Sequence, residues 1–280
     1  MTFINRARPH TTQSSIRKAY ADTELGQIHY LHTPASKGKP ALVLLHQTPS
    51  SSEMFRPLMQ LLAEDFYCIA PDFIGFGHSD EAPEHSVALY AQSVWLCLQQ
   101  LQPQQPVVFG HHTGVAVAAQ LEHDQPGYCR ALIFSGPTLL SDAQKLALPA
   151  SVVEASTDEA GDFLQRYWQK IRGKDKTVPL ELSLRECLLA LRLGDNYKKA
   201  YQAVAAQDFA RQIAAIQCPT LVFAGERDVL RPLVEPTVAL LPKGQAANMG
   251  DASTYICETH SEQLAQLIRN FCSQLNPTTN

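Results

Sequence analysis

From Pro106 to His123 the chain reads PVVFGHHTGVAVAAQLEH. PVVFGH is an apolar run of strand type, as a strand covered on both faces requires. From Gly114 to His123 the small apolar residues read as a helix. Between the two stands Gly110-His111-His112-Thr113-Gly114. Glycines at both ends suit a turn too tight for side chains. Such a turn lifts its central residue, His112, above the sheet edge and over the amino end of the next helix.

Working outward, the same alternation recurs. On the amino side, Ser15 to Ala21 and Gln27 to Thr33 read as strands joined by the turn DTELGQ. ALVLLH (Ala41 to His46) is a buried strand, Ser52 to Glu64 a helix, FYCIAPDF (Phe66 to Phe73) a strand and Val87 to Leu101 a helix. On the carboxyl side, RALIFSG (Arg130 to Gly136) is a further strand. From Leu139 to Ala215 the pattern is helical throughout. The strand pattern returns in PTLVFAGERD (Pro219 to Asp228). A helix from Leu233 to Leu241, a short strand QAANMG (Gln245 to Gly250) and a helix from Ser261 to Gln274 complete the chain. Thr259 and Glu262 have the spacing of a capping box at the start of that last helix.

This order predicts an α/β fold: a mostly parallel central sheet with helices on both faces. The helical stretch is too long for one crossover between parallel strands. It is expected to be an inserted helical cap, residues 139–215, on a core of residues 1–138 and 216–280. Ligands of open α/β sheets bind at the carboxyl edge of the strands, so the cap would roof the pocket.

Composition narrows the function. The chain has 280 residues, 45% hydrophobic and 18% charged, enough apolar material for a substantial core. Its net charge of −4 argues against a nucleic-acid-binding surface. No apolar run has the length of a membrane helix. The start, MTFINRARPHTTQSS, has arginines but no following apolar stretch, and reads as a mobile arm rather than a secretory signal. The seven cysteines are odd in number and scattered, with no CxxC or Cys/His cluster. They read as buried reduced thiols of a cytoplasmic protein, with neither metal nor cofactor implied. The expected partner is a small-molecule substrate. Oligomeric state is left open.

The strand–GHHTG–helix unit, with LLHQTPSSSEMFRPLMQLLAEDFYCIAPDFIGFGHSD before it and PTLVFAGERDVLRP after it, resembles the α/β-hydrolase superfamily. The similarity runs from about Ile16 to Phe271 and is nearest to the haloalkane-dehalogenase and epoxide-hydrolase-like branch. The resemblance makes His112 the residue of the nucleophile elbow and Asp228 the acid. It implies an oxyanion hole from the amides of Thr48 and Thr113, with Gln47 as a further donor. His46 and Asp72 match positions that support these loops. Asp142 is a secondary candidate for the acid.

Two departures stand out. The elbow carries histidine where the family has Ser, Asp or Cys. The family's late histidine is missing: counting back from Glu258 gives Ser253 at its place, and His260 falls in the first turn of the last helix. The resemblance therefore implies a site of His112, Asp228 and Ser253, with serine and histidine exchanged. Three readings stay open. His112 is a general base assisted by Asp228; or Ser253 is a nucleophile with His112 as its base; or the pocket only binds. In the first two the protein is a cofactor-independent hydrolase of an ester, lactone or carbon–carbon bond, or a related lyase, acting on a small apolar carbonyl compound. In the third it is a non-hydrolytic, receptor-like member of the fold. Tyr167, Trp168 and Tyr197 in the helical stretch are candidates to line the pocket. His111 reads as a packed residue beneath the elbow.

Overall fold

In the parallel strand β3 (Ala41–Leu45) every residue is buried, and its side chains divide by the two-residue period of a strand. Val43 and Leu45 enter one hydrophobic cluster, Leu42 and Leu44 another. The sheet is covered on both faces. The structure is a computed structural model that describes residues 16–36, 38–154 and 156–275. The expected N-terminal arm, and Ser15 at the start of the first predicted strand, lie outside the described residues.

Along the chain the strands are β1 (Arg17–Thr23), β2 (Gly26–His32), β3, β4 (Tyr67–Pro71), β5 (Val107–His111), β6 (Ala131–Ser135), β7 (Thr220–Phe223) and β8 (Gly244–Ala246). The helices are α1 (Arg56–Leu62), α2 (Val87–Leu101), α3 (Thr113–Asp124), α4 (Asp142–Ala150), α5 (Asp162–Arg172), α6 (Leu180–Leu193), α7 (Asn196–Ala206), α8 (Phe209–Ala215), α9 (Val234–Leu240), α10 (Ile256–Thr259) and α11 (Ser261–Ser273). The strands form one sheet in the order β1-β2-β4-β3-β5-β6-β7-β8. β1, β2 and β4 pair antiparallel, and every other pair is parallel. Helices α2 and α3 contribute to the first cluster, α1 and α11 to the second.

The segment between β6 and β7 is α4 to α8. α4 packs on α7 and α5 on α6, while α8 packs against α3 and α9 in the layer that covers the sheet. The predicted capping box is absent. α11 has His260 as its N-cap without a side-chain cap bond, and the Thr259 hydroxyl donates instead to the Tyr255 carbonyl, 2.9 Å away. The short helix α10 sets the entry to α11, so the hydroxyl turns back one helical turn. The predicted helix from Ser52 also divides: a 3-10 turn (Ser52–Phe55) leads into α1. Among the described residues no helix is long and apolar enough to cross a membrane, and all seven cysteines are free thiols.

Candidate active site

β5 and α3 meet with almost no room between them. A Cβ on Gly110 would stand 2.4 Å from the Gly114 carbonyl oxygen, and one on Gly114 would stand 2.0 Å from the Leu45 carbonyl oxygen. Only hydrogen fits at either position. His112 between them has φ 49° and ψ −109°, a conformation rare for a residue with a side chain. Its N–H donates to the Ser135 carbonyl (2.9 Å), and its own carbonyl accepts from the Val115 N–H (2.8 Å). The turn is thus held from the neighbouring strand and from within α3.

The His112 ring stands on the wall of a cavity of about 190 Å³. Its Nε2 lies 2.7 Å from Oδ2 of Asp228, whose side chain is 2% exposed. Burial alone would raise the Asp228 carboxyl. The charge and hydrogen bond of His112, helped by His111 and by the Leu230 N–H, bring it down to about 2. Asp228 is therefore ionised and accepts a hydrogen bond from the Nε2–H of His112.

His111 is fully buried, and its ring centroid lies 4.3 Å from that of His112. Its Nε2 donates to the Thr254 carbonyl and its Nδ1 accepts from the Ser135 hydroxyl, both at 2.9 Å. Burial, then the charge of His112, lower its pKa to about 3. It is a neutral strut between β6 and the loop after β8, not a titrating group.

Ser253 does not meet His112. It is buried, and its hydroxyl bonds to Asp175, between α5 and α6. Burial would raise Asp175, but Ser253, Thr177 and Arg227 together hold it at about 2. Asp228 occupies the nitrogen for which the serine would have competed. The next residue, Thr254, reaches the cavity, and its hydroxyl donates to Gln47 Oε1 at 3.0 Å. That fixes the Gln47 amide with its NH₂ group as the remaining donor.

Thr48 and Thr113 line the cavity beside Gln47. The Thr48 N–H donates to the Thr113 hydroxyl at 3.2 Å, and that hydroxyl lies 3.1 Å from the Thr48 hydroxyl. The Thr48 amide is thus already engaged. The Thr113 amide heads the twelve-residue α3, where first-turn N–H groups have no acceptor within the helix and favour negative charge.

The aromatic candidates are placed differently from expectation. Tyr167 and Tyr197 are 1% exposed and packed in the core cluster, with Trp168 against it. None of the three lines the cavity. Tyr201, one turn beyond Tyr197 on α7, does so with Val204, Leu148 of α4, and Thr138 and Leu140 after β6. Helical periodicity shows which face is apolar but not whether it meets the core or a cavity. Lys174, Arg227, Val229 and Leu230 complete the lining. Lys174 follows α5 in a segment without a motif, and nothing in its local sequence marks it. His46 and Asp72 sit behind the loops: His46 Nε2 accepts from the Phe73 N–H at 3.1 Å, and Asp72 Oδ1 accepts from the Ser52 N–H at 2.6 Å. Asp142 is the first residue of α4, after its N-cap Ser141, and His260 is the N-cap residue of α11; neither lines the cavity. Among the described residues no group of three or more His, Cys, Asp or Glu side chains could hold a metal ion.

A mostly parallel eight-stranded sheet, a glycine-flanked elbow after β5 and an acid after β7 define the scaffold of the α/β hydrolases. The chain belongs to that family: the model of the alpha/beta hydrolase fold matches residues 40–236. Among curated relatives, a haloalkane dehalogenase of Bradyrhizobium diazoefficiens is 23% identical over 87% of this chain and 90% of its own length. A poly(3-hydroxyalkanoate) depolymerase of Ectopseudomonas oleovorans is 26% identical over 87% of this chain and 89% of its own. An uncharacterised hydrolase of Saccharomyces cerevisiae is 54% identical, but over 48 residues, which is 17% of this chain and 16% of that protein. Among solved structures, the bromoperoxidase of Bacillus anthracis superposes with a TM-score of 0.76 at 20% identity, covering 92% of this chain and all of that one. An esterase of Exiguobacterium antarcticum gives 0.76 at 17% identity, again over 92% and 100%. These two similarities concern the fold.

Proposed function

We propose that the protein is a cofactor-independent hydrolase of a small ester or lactone, with His112 as general base and no covalent enzyme intermediate. The observation that carries this reading is the His112–Asp228 contact on the cavity wall, which turns the basic Nδ1 away from the carboxylate. Nδ1 takes a proton from water as the water oxygen attacks the carbonyl carbon. The carbonyl π pair moves onto its oxygen, which the Thr113 amide and the Gln47 amide stabilise. Asp228 balances the imidazolium. When the intermediate collapses, the C–O bond to the leaving group breaks. Nδ1–H then returns its proton to the departing oxygen, giving an acid and an alcohol. Helices α4 to α7 act as the cap that limits solvent in the chamber. The free cysteines support a cytoplasmic setting.

The buried position of Ser253 argues against a swapped triad. The test is hydrolysis of p-nitrophenyl butyrate and of small lactones. His112→Ala is expected to lower kcat by about 10²-fold or more, while Ser253→Ala keeps it within a few-fold and no serine-reactive phosphonate labels Ser253. Unchanged kcat in His112→Ala contradicts the proposal. One observation favours a second reading, a site that binds without hydrolysing: the Thr48 amide is spent on Thr113. That reading predicts saturable ligand binding by a protein that turns over none of these compounds.

A further inference from the structure

Two of the three Asp, Glu, Lys or Arg side chains that line the cavity are cations. Among the described residues its one carboxylate, Asp228, is buried and held by His112. Its other charged side chains are the cations Lys174 and Arg227, in a chain whose net charge is −4. They stand where the cavity opens: Arg227 is 44% exposed, Val229 is 81% exposed and Lys174 is half-buried. Arg227 is engaged, with Nη1 3.2 Å from Asp175 Oδ2 and Nε donating to the Asp251 carbonyl at 2.6 Å. Among the described residues no carboxylate lies within ion-pair distance of Lys174. Burial, and then the charge of Lys174, hold Lys170 below the usual lysine range. Apolar side chains, Leu140, Leu148, Val204 and Leu230 among them, make up much of the remaining lining.

We infer that the site selects molecules bearing a carboxylate on an apolar chain, with Lys174 pairing the carboxylate at the mouth and the chain running inward toward His112. The inference rests on the cavity being the substrate site and names the substrate class for the proposed reaction. A half-buried ion pair is attenuated by solvent but stronger than in bulk water. An amphiphilic acid satisfies both parts of the wall, whereas a neutral compound leaves the ammonium unpaired.

The test is calorimetric binding of hexanoate and of hexan-1-ol to the full chain, which reads affinity without turnover. Hexanoate is expected to bind the wild type more tightly than the alcohol and to weaken as ionic strength rises. Lys174→Met, which keeps the apolar stem, is expected to weaken hexanoate roughly tenfold and to change hexan-1-ol less than twofold. Lys174→Arg is expected to restore most of the hexanoate affinity. Equal affinity of wild type and Lys174→Met for hexanoate, or no hexanoate binding at all, overturns the inference. Failure of the base reading shows elsewhere, as undiminished ester turnover in His112→Ala.

Discussion

Gly136 makes room for the ring of His112: a Cβ there would stand 2.4 Å from His112 Cδ2 and 2.6 Å from Nε2. Gly136 follows β6 with φ +68°, a conformation L side chains rarely adopt. The edge of the ring that meets Asp228 therefore rests on a floor without a side chain, and the Nδ1 edge faces the other way. Gly136→Ala is expected to cost about 1–3 kcal/mol of stability, read as the shift in a urea midpoint. It should also cost at least tenfold in ester turnover, because the ring must leave Asp228. Full activity in a folded Gly136→Ala protein would show that the ring position is not what matters.

Glu258 gives a pH signature. It bonds Arg185 of α6, which also bonds Glu186 at 2.7 Å, and Glu186 accepts from the Ser50 hydroxyl at 2.9 Å. This group ties α6 to the loop after β3 and to α10. Burial, with the nearby Glu186 charge, outweighs Arg185 and raises the Glu258 carboxyl from 4.5 to about 7. For an acid raised by folding, the favourable contribution is complete below the ordinary value and is lost as pH rises through the folded one. Stability is therefore expected to fall between about pH 4.5 and pH 7 by up to ~3 kcal/mol. Glu258→Gln should flatten that dependence. Denaturant midpoints at several pH values check it.

Asp72 is the anchor behind the loop that follows β3. Its carboxylate accepts from the N–H groups of Ser52 (2.6 Å) and His78 (2.9 Å) and pairs with His29 Nδ1 (2.8 Å), all at a fully buried position. Burial would raise its pKa, but these partners and His46 hold it below the usual carboxylate range. Asp72→Ala leaves a histidine and two backbone donors unpartnered, and is expected to cost about 3–5 kcal/mol. The shift in thermal or urea midpoint measures it. A loss below 1 kcal/mol would contradict the anchoring role.

The elements that could be read from sequence are those with short-range physical causes. The β5–α3 elbow followed from the spacing of Gly110 and Gly114, and the sheet from runs such as ALVLL. The pairing of His112 with Asp228, seen in the structure at 2.7 Å, was implied by the resemblance to the α/β hydrolases. Ser253 was placed by counting from Glu258, which gives a loop position but not the direction of a side chain; Asp175 claims its hydroxyl. Tyr201 against Tyr197, and Lys174 at the cavity mouth, depend on how α5 and α7 sit over the sheet. That packing is set by long-range contacts that no local pattern carries.

The central claim of the proposed mechanism is that His112 donates its Nε2–H to Asp228 and uses Nδ1 as the base. The most direct measurement is the ¹⁵N NMR signature of the His112 imidazole, assigned by comparison with His112→Ala and followed in Asp228→Asn. The account predicts a neutral ring protonated at Nε2 with a bare Nδ1, and loss of that tautomer preference when Asp228 is replaced. A ring protonated at Nδ1 in the wild type, or a signature indifferent to Asp228, would contradict it.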